Sequence, residues 1–287
     1  MVILMSYIVY TVISALFLAV YDLFKKISVK GKKDIYEILF FYTFVSFLCG
    51  LLFINKAFNM SLINILYIFI KSCIIGLSWF FTMKAMSKLQ LGIVVPFSLL
   101  GSVSTTILAF VFFDEKIEFS QIGGIIVVLM GLLFLSKLCK KSEECKNDYK
   151  YLGLLVLAAF LTSISVMIDR YLLNTIDKGS ILFWFFLFLS LIYLVVCLIR
   201  NKKVDVRNLK GNLWVIGIGV SIFLSDLFYY LAISNESGSL SMVSIVRKLS
   251  VFIGVVLGGI FLKEENLLKK IVILVLMFIG LTFIMFV

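Results

Sequence analysis

The chain has 287 residues, of which 62% are hydrophobic and 15% aromatic, and its formal net charge is +11. With a mean hydropathy of +1.15, it has more apolar surface than a soluble domain of this length can bury, which excludes a water-soluble fold. The absence of histidine excludes a histidine metal site or proton relay, and basic residues that flank apolar runs favour contact with lipid headgroups over nucleic acid.

Ten apolar runs predict ten membrane-spanning helices, because a span needs about 20 apolar residues. In chain order the runs cover residues 3–24, 35–54, 63–87, 92–113, 119–137, 151–174, 179–199, 211–235, 239–262 and 267–287. Strands of a transmembrane barrel alternate in polarity and are about half as long, so continuous runs favour helices. The sequence therefore predicts an all-α polytopic protein of a cell membrane (plasma or inner membrane), without a cleavable signal peptide.

The last five runs repeat the pattern of the first five. The pairs that match at a constant shift of 149 residues are Phe112 and Phe261, Glu115 and Glu264, Ile122 and Ile271, Gly131 and Gly280, and Phe134 and Phe283. This predicts a first repeat over residues 1–137, a charged linker loop over 138–150 and a second repeat over 151–287. Because each repeat crosses the membrane an odd number of times, the second is inverted, as in many transporters.

The two repeats resemble the EamA repeat of the drug/metabolite transporter superfamily. The resemblance covers the stretch from Gly92 to Gly131 in the first half and from Ser244 to Gly280 in the second. It implies ten spans in two inverted halves and secondary transport of a small metabolite by alternating access. It also implies cytoplasmic termini, whereas the excess of Lys and Arg in the loops after odd-numbered spans places both termini outside. Both orientations stay open.

Three charged residues lie at membrane depth in the eighth and ninth runs. Asp226 is near the middle of one, and Arg247 and Lys248 are about two turns into the other. Antiparallel neighbours bring Asp226 and Arg247 to one level, either as a static salt bridge or as a pair that lines a substrate cavity. Successive helical residues are about 100° apart, so Lys248 cannot also face the acid. This spare base favours a substrate with a carboxylate or phosphate.

Aromatic and small polar residues near these charges are candidates for the wall of a cavity. Tyr229 and Tyr230 follow the acid by three and four residues, Trp79 is at the corresponding level of the third run, and Pro96 and Ser98 open the fourth. Pro96 indicates either an ordinary helix start or a broken helix that contacts a ligand. Aromatic rings beside an acid also suit an organic cation. The alternative interpretation of the three aromatic residues is packing against helices or lipid.

The remaining acids are expected to have structural roles. Asp22 and Asp169, at matched positions near the ends of the first and sixth runs, are expected at the solvated interface. Glu115 and Glu264 follow the fourth and ninth runs, and inversion places them on opposite faces, so they cannot form one acid–base site. Each is expected to cap the helix that follows it. No nucleotide-binding glycine loop, nucleophile elbow or metal-ligand cluster occurs, which predicts no cofactor, no metal and no enzymatic activity.

Together these features predict a secondary active transporter or exchanger of a small polar metabolite, such as an amino acid, an organic acid or a similar anionic or zwitterionic solute. Without an ATPase motif, a coupled proton or a counter-substrate would drive it. Its partners would be this solute and the lipid bilayer, and no nucleic acid. Two alternatives stay open: an exporter of quaternary ammonium and other organic cations that uses Asp226 and the aromatic wall, and a membrane sensor that transports nothing.

Overall fold

The computed structural model describes residues 2–30, 34–58, 60–113, 118–141, 149–200, 213–233 and 240–285. Its described part contains ten helices that are long and apolar enough to cross a membrane, which confirms the prediction of an all-α, multi-pass membrane protein. They are α1 (Val2–Lys30), α2 (Ile35–Gly50), α3 (Leu62–Met86), α4 (Leu100–Phe113, preceded by the turns Leu91–Val94 and Val95–Leu99), α5 (Phe119–Lys141), α6 (Tyr149–Thr175), α7 (Lys178–Ile199), α8 (Leu213–Ile233), α9 (Leu240–Leu262) and α10 (Leu267–Met285).

Helix α1 continues about two turns beyond its predicted end at residue 24. The prediction ended the span where lysines begin, but Lys25 and Lys26 are only 2% and 6% exposed. Lys25 lies 3.8 Å from Asp22, and Lys26 donates to the carbonyls of Met86 and Leu89 at 2.7 and 2.5 Å. The helix continues because these ammonium groups find partners inside the protein.

Helix α4 begins with an interrupted segment. An α-helical turn, Leu91–Val94, leads into the 3-10 turn Val95–Leu99, and the regular helix starts at Leu100. Pro96 is at the start of the 3-10 turn, where it supplies no N–H and excludes an ordinary α-helical hydrogen bond. The helix is therefore interrupted at Pro96, and contact of this turn with a ligand stays a prediction.

The helices pack in a pattern that maps onto itself when the two halves are exchanged. Helix α1 packs on α8 and α9 as α6 packs on α3 and α4, and α2 and α7 pack on each other, as do α5 and α10. The α1–α8 and α3–α6 crossings each contain a buried serine, Ser225 and Ser78, at equivalent positions of the repeat. Ser225 Oγ donates to the carbonyl of Ser14 at 3.0 Å, and Ser78 Oγ to that of Ala158 at 2.9 Å. Two inverted five-helix repeats thus form one pseudo-symmetric body.

Buried apolar residues form two large clusters, and each contains helices from both halves. One joins α1, α2 and α3 to α6, α7 and α8, and the other joins α4 and α5 to α9 and α10. The interior on which a site can form is therefore shared by the two repeats.

The linker loop predicted over 138–150 stays a prediction. Helix α5 extends to Lys141 and α6 begins at Tyr149, and residues 142–148 lie outside the described part.

Candidate functional site

Four charged side chains from four helices lie inside the membrane region. They are Lys71 of α3, Asp169 of α6, Asp226 of α8 and Arg247 of α9. Each is roughly 9–14 Å from the end of its helix, and these ends lie at one membrane face. The loops after the odd-numbered helices, which hold most of the lysines, lie at the other face, here called the basic face. The four charges therefore lie nearer the face opposite the basic one.

Arg247 and Asp226 form the first ion pair, as the sequence predicts. Nη2 of Arg247 donates to Oδ1 of Asp226 at 2.6 Å, and the two side chains are 20% and 18% exposed. The guanidinium lies over the ring of Tyr229, 3.8 Å from its centroid. Nε of Arg247 is buried and has no hydrogen-bond partner among the described residues. One side of this guanidinium is therefore bound to an acid, and another buried donor is left for an acceptor.

Lys71 and Asp169 form a second ion pair that the sequence analysis missed. Nζ of Lys71 donates to Oδ1 of Asp169 and, at 3.4 Å, to the hydroxyl of Tyr230, and it lies 4.3 Å from the ring of Phe185. The prediction that Asp169 is solvated at the interface is wrong, because this acid pairs with a lysine that is 3% exposed. A lone lysine in the middle of an apolar run was the signal that could have found it.

Two neighbouring tyrosines connect the ion pairs. Tyr229 contacts the guanidinium of Arg247, Tyr230 contacts the ammonium of Lys71, and their ring centroids are 5.9 Å apart. Successive positions on α8 thus face two different charge pairs. The result is a polar centre in which two acids, two bases and two phenols lie side by side.

Lys248 points away from this centre, as the helical spacing predicts. Its Nζ donates at 3.1 Å to the carbonyl of Ser98, within the 3-10 turn that interrupts the start of α4. Pro96 is buried in the same turn. No acid pairs with Lys248 in the part of the chain that the structure describes, so it remains the spare cation that the sequence indicates.

Trp79 lies apart from the tyrosines of α8. Its ring is 5.6 Å from that of Tyr42 and 6.1 Å from those of Tyr21 and Phe185, between centroids. Phe185 in turn faces Lys71, so Trp79 reaches the ion pairs only through an intervening ring. The structure thus brings Asp226, Arg247, Tyr229 and Tyr230 together, groups Lys248 with Ser98 and Pro96, and places Trp79 in a separate aromatic cluster.

A further buried cluster joins the two repeats at the basic face. The carboxylate of Glu264 accepts the backbone N–H groups of Leu91 and Gly92, the latter at 2.9 Å, and pairs with Lys270 at 2.9 Å. Lys270 also donates to Gln90 Oε1 at 2.7 Å. The prediction that Glu264 caps the helix after it is wrong, because its carboxylate caps the start of the α4 segment in the other repeat.

Glu115, the counterpart of Glu264, lies outside the described residues. Where the chain is described, no group of three or more His, Cys, Asp or Glu side chains could hold a metal ion.

The sequence profile of the EamA-like transporter family matches the chain twice, over residues 5–137 and 150–286. A solved structure described as "Crystal structure of protein" is 15% identical and similar at a TM-score of 0.64, over 97% of this chain and 96% of that chain. At this identity the likeness concerns the fold alone. No curated protein matches the chain in sequence.

Proposed function

The chain belongs to the EamA-like transporter family of the drug/metabolite transporter superfamily, and we propose that it is a secondary active transporter or exchanger of a small anionic or zwitterionic metabolite in a cell membrane. Amino acids and organic acids are the solutes of this kind. The proposal rests on the charges at membrane depth, since these are costly unless they face partners or a polar pathway.

The observation that carries the proposal is the buried Nε of Arg247. Its Nη2 is bound to Asp226 at 2.6 Å, while its buried Nε has no partner among the described residues. A carboxylate accepts from adjacent guanidinium N–H groups in a bidentate arrangement. A solute carboxylate would accept from Nε and from Nη2 on the same edge of Arg247, where it would compete with Asp226 for Nη2, and the ammonium of a zwitterion would bind the carboxylate of Asp226.

Charge balance supports an anionic group on the solute. The two ion pairs are neutral together, and Lys248 adds a cation whose described partner is a carbonyl. An incoming carboxylate would offset that extra charge. Tyr229 and Tyr230 would line the solute between the pairs, and Ser98 and Pro96 would contribute the interrupted backbone of α4, where carbonyl groups are left for ligands.

Transport would proceed by alternating access between the inverted repeats. The Glu264 cluster, which joins the α9–α10 loop to the start of α4, would close the molecule at the basic face. Opening that face would separate Glu264 from Gly92, while the other face closes by the equivalent movement of the second repeat. A substrate gradient, a coupled proton or a counter-substrate would supply the driving force.

The anionic or zwitterionic solute is favoured over an organic cation by the position of Arg247. Its guanidinium covers the ring of Tyr229 and occupies the carboxylate of Asp226. A quaternary ammonium solute would have to displace it from both. Trp79, which would complete an aromatic wall, packs instead against Tyr21 and Tyr42.

The test is flux through the purified protein in proteoliposomes. Vesicles loaded with a mixture of labelled amino acids and dicarboxylates are diluted into unlabelled medium, and efflux is measured with and without competitors. The proposal expects protein-dependent efflux that unlabelled amino or organic acids inhibit and tetraethylammonium and choline do not. Inhibition by these cations together with their own protein-dependent flux would favour the cation exporter. Saturable solute binding without flux would favour the sensor.

A further inference from the structure

A groove on the outer wall of the molecule lies between the end of α5 and the start of α10. Its volume is about 620 Å³, within the usual range of about 300–1,000 Å³ for ligand sites. Phe134, Leu268 and Val272 line it and are 49%, 79% and 60% exposed. Because both helices cross the membrane, this apolar lining faces acyl chains and is open to them.

Two lysines give the groove a charged end. Lys137 and Lys269 belong to its lining, are exposed, and lie near the basic face, where α5 ends and α10 begins. Neither pairs with an acid in the parts of the chain that the structure describes. The ammonium of Lys137 lies 5.9 Å from the ring centroid of Phe134. Two cations therefore lie at the headgroup-level end of the apolar groove.

Deeper in the membrane the groove ends, because α5 and α10 come into close contact. A Cβ built on Gly131 would overlap the side chain of Met277. This glycine thus lets the two helices approach closely. The space available is a blind groove that runs from the headgroup level towards the bilayer centre.

The lysines are not a requirement of the α5–α10 contact itself. In the sequence, the repeat shift of 149 residues pairs Lys137 with Phe286 and Lys269 with Ser120. The residues that the repeat pairs with the two lysines thus carry no charge. The charge belongs to one face, where a negatively charged headgroup would meet it.

We propose that this groove binds an anionic phospholipid. Its phosphate contacts Lys137 and Lys269, and one acyl chain lies along Phe134 and Val272. Two cations without an acidic partner among the described residues, next to an apolar groove, select an anionic lipid over a zwitterionic one. This inference concerns the outer wall and does not depend on the transported solute.

The test uses tryptophan fluorescence in the full-length protein. A Leu268→Trp variant places a reporter in the groove, and its quenching by brominated phosphatidylglycerol and by brominated phosphatidylcholine is measured in mixed bilayers. The signal is the quenching beyond that of the chain's own three tryptophans. Each lysine is expected to favour the anionic lipid about fivefold, so phosphatidylglycerol should bind about 25-fold more tightly.

The double change Lys137→Gln/Lys269→Gln in this background should remove that preference. The matched control is Lys88→Gln/Lys150→Gln, which removes two exposed lysines of the same face outside the groove and should leave it unchanged. Native mass spectrometry of the wild type and the double variant with both lipids repeats the measurement without the reporter. Equal binding of the two lipids, or a preference that survives the double change, would overturn the proposal.

Discussion

Lys71 illustrates how a charge is held inside an apolar helix. It is 3% exposed, and its ammonium contacts a carboxylate, a phenol and an aromatic ring. Removing one partner of a buried ion pair is costly mainly because the other is left charged and unpaired. Loss of Lys71 would therefore leave the carboxylate of Asp169 without its partner.

We predict that Lys71→Met destabilises the protein by about 3 kcal/mol, because it leaves Asp169 without its partner. Equilibrium unfolding in mixed micelles measures this difference. The control is Lys56→Met, which breaks the exposed Lys56–Asp177 pair, whose side chains are 61% and 48% exposed and whose loss should cost about 0–1 kcal/mol. Equal effects of the two changes would contradict a structural role for the Lys71 pair.

The residues of the candidate site differ in how far the sequence could predict them. Asp226 and Arg247 are on antiparallel neighbours separated by a short loop, so their pairing follows from helix rise alone. The pairing of Lys71 with Asp169 joins helices α3 and α6, whose contact no local pattern indicates. Trp79 was a candidate for the same cavity wall as Tyr229, but helices that are apolar on every side give no signal for the side that faces inward.

At the scale of elements, the start of α4 depends on a side chain from the other repeat. The N–H groups of Leu91 and Gly92 have no partner within their own helix and bind the carboxylate of Glu264. Gly92 permits this close approach: a Cβ built there would lie 2.9 Å from Oε2 of Glu264 and 3.0 Å from Cδ of Lys270. The sequence motif therefore has glycine at position 92 because a side chain there would collide with Glu264 and Lys270.

We therefore predict that Gly92→Ala destabilises the protein by about 1–3 kcal/mol, since the cluster has to move to admit the methyl group. Gly123→Ala is the control, because nothing lies within 4 Å of a Cβ at that position. In a helix this change should stabilise by about 0.5–1 kcal/mol. Thermal unfolding of both variants in detergent measures the two effects, and a stabilised Gly92→Ala protein would contradict the role given to the cluster.

The elements themselves were largely predictable, and their ends were not. Apolar runs correspond to the ten spans because lipid requires continuous apolar helices. Helix α1 was ended too early because its last lysines bind carbonyls and an acid of the protein instead of water. The role of Glu264 was missed because the backbone N–H groups that donate to its carboxylate belong to the other repeat.

At the scale of the whole molecule, a symmetric framework contains an asymmetric site. The helices pack in a pattern that the exchange of halves reproduces, which the matched glycines and glutamates of the sequence predicted. Not all of the charges follow it: at the repeat shift of 147 residues Asp169 corresponds to Asp22, but Asp226 corresponds to Trp79. The polar centre therefore belongs to one face of the molecule, and the inverted repeat would supply the movement that exposes it.

The central claim is that Arg247 binds the transported solute, and its most direct test is the initial rate of solute efflux from proteoliposomes. We predict that Arg247→Gln lowers this rate roughly 100-fold, which corresponds to the loss of about 2–3 kcal/mol from charge-assisted hydrogen bonds. Lys84→Gln, which removes another cation of a spanning helix, should leave it unchanged. Asp226→Asn/Arg247→Gln, which neutralises both members of the pair, should not restore it. Wild-type efflux by either variant that lacks Arg247 would contradict the account.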